Sequence, residues 1–162
     1  MMKRRYLLQT LAGLAGACTL TPALMAQTRP QVEVWKDPDC GCCADWVKHI
    51  EDNGFQVLVH DSGNAAVRKR LGLPEKLGSC HTALVDGKYL VEGHVPARDI
   101  QRLLKERPQA LGLTVPGMPV GSPGMDGPIY GGRQDPYKVL LVLKNGDTRV
   151  FQDYPTKTPA KS

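Results

Sequence analysis

From residue 31 the chain alternates polar and apolar positions, Gln31-Val32-Glu33-Val34-Trp35, with the two-residue period of a strand, and Asp37-Pro38-Asp39 then breaks the pattern. The period changes after that break. Cys43, Trp46, Val47 and Ile50 recur at helical spacing, Asp45, Lys48, His49 and Asp52 take the other face, and Asn53-Gly54 suits a helix C-terminus. Residues 55–59 predict a second strand and residues 64–71 a short basic helix opened by an Asn cap. Two apolar runs, 82–85 and 89–92, flank Asp86-Gly87-Lys88 as the arms of a hairpin. Pro96 fits the start of a third helix with Ile100, Leu103 and Leu104 facing inward, stopped at Arg107-Pro108.

Strand, helix, strand, helix, hairpin, helix, with a first crossover that must join parallel strands, is the order of a thioredoxin-like α/β domain, here spanning residues 31–107. Residues 108–136 then alternate prolines and glycines and predict an irregular extension instead of a packed element. Residues 139–143 and 148–151 around Asn145-Gly146 predict a terminal hairpin, so the C-terminal extension runs over 108–154, followed by a frayed tail at 155–162.

The first 26 residues change the picture of where the protein works. Lys3-Arg4-Arg5 precedes an interrupted apolar stretch and small residues near Ala23 and Ala26, the order of a secretory signal peptide, and the stretch is too short for a bilayer span of roughly 20 residues. Cleavage after Ala26 is the first reading, with export by the Sec or the twin-arginine route. A lipoprotein reading on Cys18 is disfavoured because Ala15 stands where a larger aliphatic residue is usual. Removing residues 1–26 takes three of the 21 Lys and Arg and none of the 16 Asp and Glu, lowering the formal charge from +5 to +2. No dense basic run with interleaved aromatics remains, so nucleic acid is a poor partner, and Arg68-Lys69-Arg70 reads as a solvated helix face. The remaining length suits one domain with an appendage.

Export places the thiols in an oxidising compartment, where cysteines are usually paired or occupied. Cys40-Gly41-Cys42-Cys43 lies between the first strand and the first helix, where free backbone N–H groups and the helix dipole favour thiolate, the form that ligates metal and attacks disulfides. Cys40 and Cys43 have the spacing of a redox pair, and a buried Cys40–Cys43 disulfide with Cys42 as apolar filler is the alternative. The additional sulfur of Cys42 favours a metal. Cys80, in Gly78-Ser79-Cys80-His81-Thr82 before the hairpin, occupies the place where this fold type brings a loop beside the helix-start cysteines, commonly with a proline; it is expected as a fourth sulfur, or else as an ordinary buried cysteine or disulfide partner.

His94, in Gly93-His94-Val95-Pro96, is a candidate ligand, and His81 a weaker one; His49 is expected to be solvated on its helix and His60 to lie at a strand end on the surface. A loop methionine is often a patch over apolar surface. Two of them, Met118 and Met125, in one turn-rich strap of a thiol-bearing protein fit thioether ligation, and soft sulfur donors select Cu(I) whereas zinc seldom recruits methionine.

Taken together, Cys40-Gly41-Cys42-Cys43, Ser79-Cys80-His81-Thr82, Gly93-His94-Val95-Pro96 and the strap Pro116-Gly117-Met118-Pro119 through Gly121-Ser122-Pro123-Gly124-Met125 resemble the CopG-type copper-resistance proteins of Gram-negative bacteria, a periplasmic metal-binding group. The resemblance implies a thioredoxin-like domain whose C-terminal extension completes a copper site with a multinuclear cysteine-bridged cluster, and a role in copper tolerance involving interconversion of Cu(I) and Cu(II) before efflux. The expectation is therefore a periplasmic copper-binding protein with metal ligands Cys40, Cys42, Cys43, Cys80, His94, Met118 and Met125. Its expected partners are copper ions and components of periplasmic copper efflux, without stable membrane insertion, and its expected state is a monomer. Two readings stay open beside a copper oxidoreductase: a thiol-disulfide oxidoreductase using Cys40 and Cys43, and a passive copper chaperone or sequestering module sharing the same site.

Overall fold

The structure is a computed structural model that describes residues 29–156. The expected export signal and tail residues 157–162 lie outside the described residues. Within them the chain runs β1 (Gln31–Lys36), α1 (Gly41–Asp52), β2 (Gln56–His60), α2 (Ala65–Arg70), β3 (His81–Val85), β4 (Tyr89–Glu92), α3 (Ala97–Glu106), β5 (Gly112–Thr114), β6 (Tyr137–Val142) and β7 (Thr148–Tyr154). The fold is mixed α/β. All strands join one sheet in the order β2-β1-β3-β4-β5-β6-β7, with β1 parallel to β2, β4 parallel to β5 and the other neighbours antiparallel. No described helix is long and apolar enough to cross a membrane.

The two-residue period assigns side chains to the sheet's two faces. Val32 and Val34 of β1, Ala83 and Val85 of β3, Tyr89 and Val91 of β4 and Leu113 of β5 share a core with Trp46, Val47 and Ile50 of α1 and Ile100 and Leu103 of α3. Both amphipathic helices therefore cover one face. On the other, Leu90 and Val142 pack with Leu73 and Leu77 from the segment after α2. Glu92 lies on this second face, in register with Thr82 on one side and Thr114 on the other.

Two local expectations change. Asn64 precedes α2 but makes no side-chain cap; its amide donates to Ser79 O and Thr82 Oγ1, both at 3.2 Å. Within the basic run, Lys69 and Arg70 are exposed as expected, whereas the Arg68 side chain is only 19 % exposed and pairs with Glu92 at 3.0 Å. A helix this short follows its tertiary partners more than its own caps.

The extension is also more ordered than its composition predicts. Gly112–Thr114 forms a fully buried strand inside the sheet, and Val115, Val120, Ser122 and Met125 are buried in the strap between β5 and β6. The strap crosses to the start of α1. An ideal Cβ on Gly124 would lie 2.5 Å from Cys42 O and 2.8 Å from Trp46 N, and its φ is +83°, so only glycine admits this approach. The terminal hairpin forms as expected, with Tyr137 and Tyr154 stacked 4.5 Å apart at its open end.

Candidate metal centre

After β1 the turn at Asp37-Pro38-Asp39 closes through a hydrogen bond from Cys40 N to Asp37 O at 3.2 Å, which makes Cys40 the N-cap of α1. Its side chain accepts no capping hydrogen bond, and the first turn carries no acidic residue. The positive end of the helix is thus left to the sulfurs of Cys40, Cys42 and Cys43. Cys43 is fully buried beneath them. Cys80 arrives from the loop before β3, and the four cysteine sulfurs all lie within 4.8 Å of one another.

The sulfurs are in an oxidised arrangement. Cys40 and Cys43 form a disulfide, and Cys42 and Cys80 are free. Cys42 Sγ sits 3.7 Å from Cys40 Sγ, and Cys43 Sγ lies 3.7 Å from Cys80 O. Thiolates, not disulfide sulfurs, are strong metal ligands, so four-sulfur ligation follows only after two-electron reduction of this bond.

Cys80 also belongs to a second group. Its sulfur lies 3.1 Å from His94 Nε2 and 3.4 Å from His81 Nδ1, and the donor atoms of Cys80, His81 and His94 fall within 4.8 Å of one another. His94 Nδ1 is 2.8 Å from Pro123 O, which can only accept, so Nδ1 carries the proton and Nε2 turns its lone pair toward Cys80. A carbonyl on the far nitrogen is the usual way a ligating imidazole is oriented. His81, on the core face of β3, is fully buried against the Trp46 ring at a centroid distance of 4.3 Å, and its Nε2 has no partner.

Burial lowers the His94 pKa, against the opposing effect of the hydrogen bond that His94 donates to Pro123 O, and burial lowers that of His81 well below the usual value, with His94 adding to the effect. Both rings are neutral near pH 7, the form that binds metal. The Cys80 thiol is pushed up to about 12, chiefly by burial and then by neighbouring Cys42. Without a cation beside it, Cys80 is an S–H that donates to His94 Nε2; a bound metal would displace that proton.

The other candidates lie as follows. Met125 is buried in the strap, and its sulfur accepts the Tyr130 hydroxyl at 3.3 Å. Met118 is 53 % exposed, next to Gly117, whose N–H donates to Gly78 O at 3.2 Å. His49 is not simply solvated: its Nε2 accepts the Ala97 N–H at 3.1 Å and caps the start of α3. Burial lowers its pKa. His60 is at the strand end as expected, stacked on Trp35 and 2.8 Å from Glu33. His81, the weaker histidine candidate in the sequence, falls in the same donor group as Cys80 and His94. Its position directly after Cys80, alternating with Thr82 across a strand, is the signal that places it under the site.

Among known proteins, a family model described as a protein of unknown function, DUF411, matches residues 77–125, a stretch that includes Cys80, His94 and the strap but not the helix-start cysteines. No curated protein matches. The chain is similar to the solved structure of copper resistance protein CopG in its form 2, at 49 % identity and a TM-score of 0.71, over 79 % of this chain and 100 % of that one. Form 1 of copper resistance protein CopG matches at 51 % identity and a TM-score of 0.70, over 77 % of this chain and 97 % of that one.

Proposed function

The chain belongs to the CopG family of copper resistance proteins, and on that premise we propose that it serves copper resistance by holding Cu(I) in the reduced cluster of Cys40, Cys42, Cys43 and Cys80. The observation that carries this reading is the pair of donor groups that share Cys80, four sulfurs on one side and two histidines on the other. Four thiolates alone would suit zinc as well. A thiolate common to two donor groups is suited to bridging two metal ions; mixed Cys and His donors serve zinc as well as copper, and it is the kinship with copper resistance proteins that favours Cu(I) here. The buried, unpartnered His81 Nε2 and the oriented His94 Nε2 support imidazole ligation on the second side. Met118 and Met125 complete the proposed set, Met118 from the exposed side.

The cysteines also supply electrons. Closing the reduced Cys40–Cys43 pair to a disulfide releases two protons and two electrons; the electrons reduce two Cu(II) ions to two Cu(I) ions, and the two sulfurs cease to be ligands until a dithiol reductant reopens the bond. On this reading the protein interconverts copper oxidation states in the periplasm before efflux components take the metal. The expected export signal supports that location. Support for a thioredoxin-like unit over residues 31–107 comes from the strand order β2-β1-β3-β4 and the parallel β1–β2 crossover, with residues 108–154 added as β5 to β7 and the strap.

The test is to express the chain with its own export signal in copper-supplemented cells, then measure copper per chain and the absorption spectrum before and after reduction. We expect bound copper with a reversible spectral change, and Cys42→Ser lowers the copper stoichiometry of anaerobically purified protein. Unchanged stoichiometry removes Cys42 from the ligand set. A second reading, a thiol-disulfide oxidoreductase, is favoured by the disulfide at the start of α1. It predicts rapid insulin reduction by metal-free protein that depends on Cys40 and Cys43, with no copper retained in the native protein.

A further inference from the structure

On the sheet face away from the main core, a buried polar cluster closes around the residue before Cys80. Ser79 is gripped at both ends of its backbone: its N–H donates to Glu92 Oε1 at 2.7 Å, and its carbonyl accepts from Asn64 Nδ2 at 3.2 Å and Arg68 Nη1 at 3.0 Å. Glu92 is completely buried at the centre. Its Oε1 also receives Arg68 at 3.0 Å, and its Oε2 receives the Thr82 hydroxyl at 2.6 Å. The two preceding residues are held too, Leu77 O by the Thr114 hydroxyl at 2.8 Å and Gly78 O by the Gly117 N–H at 3.2 Å.

A buried ion pair is a poor device for stability alone, because desolvation offsets most of its attraction and an apolar pair of similar volume often does as well. What it adds is direction. A carboxylate oxygen aimed at one N–H and a guanidinium aimed at the following carbonyl fix both the place and the tilt of Ser79. The next residue is then set with its sulfur 3.1 Å from His94 Nε2 and inside the four-sulfur group.

We propose that Glu92 and Arg68 are positioning residues of the metal centre, which clamp Ser79 so that Cys80 presents its sulfur at once to the helix-start cysteines and to His94. The consequence for copper rests on the function proposed above; the placing of Cys80 does not require metal. Asn64, just before α2, and Thr82 of β3 complete the clamp. In sequence, Glu92 is the one charged residue of an otherwise apolar arm of the hairpin.

The test is the double variant Arg68→Met/Glu92→Leu, which keeps volume and removes both charges together. Three quantities are read on the full chain: thermal midpoint, the alkylation rate of Cys80 in reduced, metal-free protein by iodoacetamide with peptide mass mapping, and copper per chain on anaerobic Cu(I) titration. The expected result is a midpoint at or above that of the parent, Cys80 alkylation at least about tenfold faster on release of the clamp, and less copper bound with an altered thiolate absorption. A stable double variant with parental alkylation rate and copper content overturns the proposal, since the pair would then serve the fold alone. Should that variant not fold, Glu92→Asp decides: it keeps the charge but is one methylene too short to reach Ser79, and a parental Cys80 rate in it is equally fatal. If the parent protein takes up no copper, the functional reading fails, and the alkylation rates still judge the clamp.

Discussion

Replacing Gly124 by alanine tests whether the strap is an integral wall of the site. The new Cβ would stand 2.5 Å from Cys42 O and 2.8 Å from Trp46 N, both backbone atoms of α1 that cannot yield as a flexible side chain would. The backbone there has φ +83°, a conformation that costs a non-glycine residue roughly 1–2 kcal/mol, and overpacking against rigid neighbours adds roughly 1–3 kcal/mol. Part of this is relieved if the strap lifts from α1, but lifting withdraws Pro123 O from His94 Nδ1 and loosens Met125, so the loss is expected at about 2–4 kcal/mol. In a domain of this size that lowers the thermal midpoint by roughly 10 °C. Urea and thermal unfolding of metal-free protein measure it, with Gly127→Ala as the control: the same strap, an ordinary φ of −67°, and nothing within 4 Å of the added methyl. A Gly124→Ala loss below about 1 kcal/mol, or one matched by Gly127→Ala, refutes the close contact between strap and helix.

Two further outcomes follow from the same geometry. His81 has a depressed pKa in the folded state, so below pH 6.5 the unfolded chain binds the proton that the folded chain refuses, and metal-free stability should fall with pH by up to about 1.4 kcal/mol per unit from this group. His81→Phe, which cannot titrate, should flatten the decline measured by urea unfolding between pH 7 and 5.5; an unaltered slope contradicts the buried neutral imidazole. Arg102 ties α3 to β7, donating to Phe151 O and to Gln152 Oε1 while its guanidinium lies 3.8 Å over the Phe151 ring. Arg102→Ala should cost roughly 1–3 kcal/mol in the same assay with copper per chain unchanged, and a drop in copper would show that β7 is coupled to the site.

Where one physical signal dominated, sequence and structure agree. The start of β1 was legible because Gln31 and Glu33 keep some exposure between the buried Val32 and Val34, and the helical spacing of Cys43, Trp46, Val47 and Ile50 because α1 buries only one face. β5 was not, because all three of its residues are buried on both sides and no alternation is left to read. Gly112 deepens the disguise: it reads as a breaker, yet a Cβ there would sit 1.7 Å from Leu90 O, so the glycine is what lets β5 lie beside β4. The meeting of Cys80 with the helix-start cysteines could be argued from chain order. The disulfide could be named only as an alternative, because spacing permits a bond without setting its oxidation state. The roles of Arg68, Glu92 and His81 depend on which sheet face each residue occupies and on partners far along the chain, and no local pattern carries that information.

The sheet does not end where the cysteine-bearing segment ends. β4 gives its outer edge to β5, and all four of its residues are buried, Glu92 among them. A chain stopped at residue 107 would keep every cysteine of the cluster and yet bare a row of unpaired N–H and C=O groups beside Tyr89, Leu90 and Val91, the template on which strands of other molecules add and proteins aggregate. The shortest self-standing carrier of the site therefore reaches through the terminal hairpin. For anyone reducing this scaffold to its proposed copper site, the proline- and glycine-rich stretch carries the strand that covers β4 and is not a removable ornament.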